Sequence, residues 1–197
     1  MTSSADGIPP TGPAVAKAVA RELDPPARPT VPTYYDNDES HRVNILVAGD
    51  VPIAGATTYS TVTLHTVPNE VDGRDMRVEF IATGVSDSDV LAQVVSTAAF
   101  YVMKNGWKAE PDIVYADLML EYDPATRLPH LWVTVPWRYP NLAQVQVTPE
   151  LVVHWLQLIP ISDAERAFAE EHGTEALFDH FAEREVVYFD LERPSSL

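Results

Sequence analysis

Glu175, Asp179 and Glu183 recur every four residues near the carboxy-terminal end of the chain, with Glu170 and Glu171 just before them. On a helix this spacing stacks the three carboxylates in one row, and each like-charged pair costs roughly 0.2–0.5 kcal/mol. Glu175 offsets part of that cost at a helix amino terminus, where the dipole is positive. Such a row either stays solvated, as charge runs commonly do, or steers and holds a basic partner. Trp137-Arg138-Tyr139 joins residue types favoured at binding hot spots, although large aromatics also bury readily. Spaced five apart on a regular strand, Trp132 and Trp137 point to opposite faces, which brings one of them toward the surface. The candidate partner-binding set is therefore Glu175, Asp179, Glu183, Glu170, Glu171, Trp137, Arg138 and Tyr139.

Other chemistries find less support. The six histidines, at 41, 65, 130, 154, 172 and 180, form no dense ligand spacing, so no metal site is expected. His172 and His180 are separated by a helix boundary at Gly173. No Gly-x-Ser-x-Gly turn marks a nucleophile, and eight scattered glycines give neither a phosphate loop nor a dinucleotide fingerprint. No catalytic residue and no cofactor are expected. Glu79 falls opposite Met76, Val78 and Phe80 in strand phase, which reads as a surface ion pair, and Glu121 has nothing to mark it as an acid or base.

Composition narrows the partner. Thirteen Lys and Arg against 29 Asp and Glu give a formal net charge of −16, which removes broad attraction to a nucleic-acid backbone or an anionic membrane. Residues 150–197 carry 11 acids and 3 bases, half of that net charge. There is no cysteine, so disulfides and thiolate chemistry are excluded. No basic segment leads into an apolar run at the amino terminus, and Val90 to Met103 is too short and interrupted to span a bilayer. A soluble, cytoplasmic protein with a protein partner is expected, with neither direct nucleic-acid binding nor membrane binding.

The elements that must position these residues alternate between strand and helix. Residues 1–33 hold seven of the 17 prolines and read as a partly flexible arm. A short helix lies inside it, from Pro13 to Leu23, with Val15, Val19 and Leu23 in a row. Residues 34–197 read as one domain. Val43–Val47, Tyr59–Thr66 and Met76–Ala82 have strand character. A helix follows Ser86 or Asp87, carrying Val90, Val94, Ala98 and Val102, and ends at Gly106. Ile113–Tyr122 and Leu131–Trp137 suit an antiparallel pair. Leu151–Ile159 reads as a central strand ended by Pro160. Ser162-Asp163-Ala164-Glu165 has the form of a capping box, and its helix closes at Gly173. Thr174 can cap a second helix, and Val186–Leu191 makes a last strand. The pattern is α+β, a mixed and largely antiparallel sheet packed with helices.

The run "VVHWLQLIPISDAERAFAEEHGTEALFDHFAEREVVYFDLERPSSL" resembles the end of the Suppressor of Fused domain. Pro160, Glu165, Gly173, Asp190, Leu191, Arg193 and Ser195 stand where that family carries these residues. "TYSTVTLHTV", "MRVEFIAT" and "VLAQVVSTAAFYVMKNGW" resemble its upstream strands and long helix. The strand before Met76 departs from the family, running into Thr66-Val67-Pro68 in place of a glycine–serine ending. The resemblance implies a Suppressor of Fused-like fold and a non-catalytic binding role. Bacterial single-domain members resemble immunity proteins that neutralise polymorphic toxins, here by masking the toxin's active surface. The animal member resembles a clamp on a transcription factor, so an intracellular regulator or scaffold is the alternative, with an uncharacterised hydrolase third. As a family feature, Arg193 is expected to pair with Asp190 and hold the carboxy terminus.

Overall fold

The computed structural model describes residues 9–85 and 89–197. Its strands are β1 (Thr33–Tyr35), β2 (Arg42–Gly49), β3 (Thr57–Thr61), β4 (Glu70–Val71), β5 (Arg74–Asp75), β6 (Val78–Gly84), β7 (Ile113–Tyr115), β8 (His130–Thr134), β9 (Val145–Thr148) and β10 (Leu151–Ile161). Its helices are α1 (Gly12–Leu23), α2 (Val90–Asn105), α3 (Asp163–His172) and α4 (Thr174–Glu183). The main sheet runs β1-β2-β3-β6-β10-β8-β7, with β9 also on β10 and β4–β5 forming a separate hairpin. Neighbouring strands are antiparallel except β6 and β10. This is the mixed α+β architecture that the alternation of signals requires.

Both faces of the sheet are covered, and the side-chain alternation shows how. Ile45, Phe80 and Leu156 pack with Val94, Val95 and Ala98 of α2. Their neighbours Leu46, Ile81 and Trp155 face the other way, against Val15, Val19 and Leu23 of α1. Further along that second face, Trp132, Ile159 and Ile161 pack with Ala169 of α3 and with Leu177 and Phe181 of α4. The proline-flanked helix near the amino terminus is thus half of the cover on one face.

Covering both faces changes the reading of β6. It is buried along its whole length, and Glu79 sits inside the protein in place of the expected surface ion pair. The side of β6 opposite Val78 and Phe80 lies beneath α1 and the turn at Leu64–Thr66, which is a short 3₁₀ helix where strand was expected. Glu79 accepts the Leu64 and His65 amides at 3.2 and 3.1 Å, and His65 Nδ1 lies 2.5 Å from its Oε1. On the far side of the imidazole, His65 Nε2 is 2.7 Å from Thr11 Oγ1 at the start of α1.

Several boundaries also differ from the sequence pattern. The α2 start expected at Ser86 or Asp87 lies outside the described residues, while Gly106 terminates the helix at φ 67° as expected. The β7 strand stops at Tyr115, and Leu118–Glu121 is a 3₁₀ turn. Pro160 does not end β10. It lies beyond the stretch paired with β6, residues 154–157, and pairs with Leu131 of β8, where a missing N–H is tolerated on the free side. Val186–Leu191 forms no strand, only a bridge between Asp190 and Val85.

Candidate functional site

The capping box opens the region that carries the candidate residues. Ser162 accepts the Glu165 amide and Glu165 accepts the Ser162 amide, at 3.1 and 2.9 Å, satisfying amides that otherwise lack partners at the start of α3. Glu165 is completely buried and is also the anchor of the carboxy terminus. Arg193 Nη1 and Nη2 donate to its two oxygens at 2.6 and 2.9 Å, and the Ser196 amide and hydroxyl donate at 2.9 and 2.7 Å. Arg193 therefore pairs with Glu165 and not with Asp190. Asp190 is next to it only in sequence, and its carboxylate caps the Glu192 amide. Burial pushes the Glu165 carboxyl up, but the Arg193 pair and the serine donors outweigh it, and the net direction is down. The Arg193 guanidinium also lies 5.1 Å over the Phe181 ring, which fastens α4 to the same lock.

On α4, Leu177 and Phe181 point into the core, while Glu175, Asp179 and Glu183 are exposed along one side. At 100° per residue, Phe178 and Ala182 fall between the buried stripe and the acidic row. Phe178 is 39% exposed and stacks on Trp137 with ring centroids 4.4 Å apart. Gly173 is the N-cap, and Thr174 begins α4 without the expected side-chain cap bond. Glu170 and Glu171 are exposed on α3, beyond the row; Glu170 holds Arg166 at 2.8 Å.

Trp132 and Trp137 do not point to opposite faces. The strand ends at Thr134, the chain turns through Val135-Pro136, and the two indoles meet edge to face at 5.3 Å. Trp132 is buried and Trp137 half-buried, with Tyr188 a further 5.5 Å contact. Arg138 is exposed. Tyr139 is buried, its hydroxyl shared with Thr58 and Thr83 at 3.1 and 3.4 Å, which takes it off the exposed surface. The structure thus joins Trp137 and Arg138 to the acidic row, leaves Glu170 and Glu171 to one side, and withdraws Tyr139.

Two hollows flank the Trp137–Phe178 pair. One of about 420 Å³ runs along Phe181, Ala182, Val187 and Tyr188, with Arg138 and Glu185 at its rim. The other, about 360 Å³, lies between Trp132, Val135, Asp112 and Glu175. Phe178, Val187 and Glu185 were missed by residue-type reasoning. By residue type Phe178, beside Leu177 and Phe181, reads as core, and Val187 falls within the run Val186–Leu191 that reads as a strand. A polar hollow of about 400 Å³ beside α2 differs in kind, because its groups already satisfy one another. Lys104 bridges Asp36 and Asp38 at 2.7 and 2.9 Å. Tyr101 donates to Glu121 at 2.6 Å, and that bond with burial pushes its hydroxyl up to about 12.

Each histidine has a local partner. His41 meets Asp36, His130 lies between the Asp117 amide and Asp163, and His154 is 3.1 Å from the Ala143 carbonyl. His172 and His180, unaligned along the chain, both pack on Phe168. Among the described residues no group of three or more His, Cys, Asp or Glu side chains could hold a metal ion, and no helix is long and apolar enough to cross a membrane.

Comparison with solved structures defines the class. A suppressor of fused homologue from Neisseria gonorrhoeae FA 1090 superposes with a TM-score of 0.70 at 14% identity, covering 95% of this chain and 97% of that one. A chain of the Sufu–Fu complex gives 0.70 at 13%, covering 96% of this chain and 93% of that one. Drosophila Suppressor of Fused gives 0.68 at 13%, covering all of this chain and 54% of that one. These likenesses show a Suppressor of Fused fold. The family model for suppressor of fused protein matches residues 39–194, and the chain belongs to that family. It is also 31% identical over 170 residues to Immunity protein YqcF of Bacillus subtilis (strain 168), covering 85% of this chain and 88% of the other.

Proposed function

We propose that this chain is a cytoplasmic immunity protein that neutralises a cognate polymorphic toxin by masking the toxin's active surface, without catalysis or cofactor. The observation that carries this reading is the 31% identity to an immunity protein along most of both chains. Residues 34–197 act as the binding domain, and the proline-rich segment before them is packed onto it through α1, whose Val15, Val19 and Leu23 enter its core. Glu175, Asp179, Glu183, Trp137 and Arg138 form the contact face, with Glu170 and Glu171 extending its negative field.

Electrostatics sets the size of the effect. A partner cation about 7 Å from each row carboxylate gains about 0.6 kcal/mol in unscreened water. Screening leaves about 0.25 kcal/mol at 0.15 M salt and about 0.5 kcal/mol at 0.01 M. Replacing Glu175, Asp179 and Glu183 together by Gln is therefore expected to slow association about threefold at 0.15 M and about tenfold at 0.01 M. Stopped-flow mixing with a cognate toxin domain measures both. Co-expression with that toxin domain tests the function itself: growth is restored by this chain, and failure to restore growth refutes the immunity reading.

A further inference from the structure

The two hollows share Trp137 and Phe178 as a common wall and are together mostly apolar, with acids at their borders. We infer that together they form a groove that holds a segment of a basic protein partner in which an aromatic or long aliphatic side chain lies between Lys or Arg residues. This deepens the immunity reading and rests on it for the identity of the partner. The floor is apolar and open: Phe178 is 39%, Val187 51% and Val135 52% exposed. Asp112 and Glu175 border one hollow, and Glu185 borders the other. Asp179 runs alongside on α4, and Arg138 is the single cation among the lining residues of the larger hollow. A second copy of this chain would bring the same acids to the same border, so the field selects a cationic occupant.

Glu185 points the same way. The chain leaves α4 through a Schellman turn, with the Val186 amide bonded to the Phe181 carbonyl and the Glu185 amide to the Ala182 carbonyl. The residue at that turn is Glu185 at φ 51°, where glycine is favoured. A carboxylate beyond the carboxy-terminal end of a helix also opposes the helix dipole. Backbone and dipole both disfavour an acid here, yet its position at the groove rim gives the charge a use. Glu185 is a specificity residue for the cation beside the apolar anchor.

The test uses synthetic peptides on the full chain. One carries Phe between pairs of Lys, a second has Ala for Phe, and a third has Glu for Lys. Titration is followed through the Trp indole N–H signals in a nitrogen–proton spectrum, Trp132 and Trp137 being the reporters. The first peptide is expected to shift both signals in 10 mM salt, and the other two to bind at least fivefold more weakly. Phe178→Ala is expected to weaken the first peptide about tenfold. Glu185→Gly should raise the melting temperature by about 3 °C while weakening the first peptide at least threefold. That opposite movement is one a merely structural Glu185 would not produce.

Equal binding of all three peptides, or unchanged affinity in Phe178→Ala with its native spectrum retained, overturns the proposal. Self-association lost on Phe178→Ala overturns it in favour of a second copy. Peptide selectivity without rescue of toxin-expressing cells sinks the immunity reading and leaves the groove standing. Full rescue by Val187→Asp together with Phe178→Ala, at single-copy expression, does the reverse.

Discussion

Replacing Arg193 by Met removes the cation from a site where Glu165 is completely buried. Arg193 contributes two hydrogen bonds to that carboxylate, one to the Pro160 carbonyl at 2.9 Å, and the stack on Phe181. The Ser162 and Ser196 donors remain, so the charge stays partly solvated by protein dipoles. Breaking a buried pair from one side costs about 3–5 kcal/mol. In a domain of this size each kcal/mol lowers the melting temperature by about 2–4 °C, for a loss of about 6–20 °C. The double variant Glu165→Leu with Arg193→Met removes both charges and is expected to recover part of the loss.

The pH dependence carries a sign. The folded-state carboxyl of Glu165 is held below its ordinary value of 4.5. Its stabilisation is thus present above that value and lost as pH falls through the lower folded one. Urea unfolding at pH 7 and again below pH 4.5 should show the gap between wild type and Arg193→Met narrowing in acid. A single variant within about 0.5 kcal/mol of wild type at pH 7, or a gap that widens in acid, would refute the lock.

Other perturbations test the remaining contacts. Glu79→Ala removes the acceptor of three buried donors. At about 1–3 kcal/mol for each donor left unsatisfied, the loss is expected to reach about 3 kcal/mol or more, read by urea unfolding. Hydrogen exchange in α1 should also rise, because His65 links Glu79 to Thr11. Gly84→Ala would place a methyl 2.9 Å from Leu91 Cδ2 and 3.3 Å from Leu191 Cδ1. Both are ends of flexible side chains, so the cost is expected near the lower end of the 1–3 kcal/mol typical of overpacking, measured by calorimetry. The opposite shifts of stability and peptide affinity in Glu185→Gly, and the salt-dependent association rates of the triple Gln variant, complete the set.

What the chain disclosed unaided was local and periodic. The capping box at Ser162–Glu165, the Gly106 stop, the α2 apolar row and the exposed carboxylates of α4 follow from backbone chemistry and helix geometry that neighbouring residues already specify. The mixed sheet followed from strand-like runs between helices. Tertiary structure decided whatever depends on which faces are covered. Glu79 alternates with apolar residues as a solvent-facing acid would, and only the packing of α1 and His65 over that face makes it a buried acceptor. Arg193 has a carboxylate three residues away in sequence and pairs instead with one 28 residues away, because β10 and α3 bring Glu165 beneath the carboxy terminus. Trp132 and Trp137 obey strand alternation only until β8 ends, and the turn after Thr134 brings them together against Phe178. Periodicity fixes which side of an element a residue occupies; the neighbour on that side, and so whether a charge is buried or an aromatic ring forms the wall of a groove, is set by long-range packing.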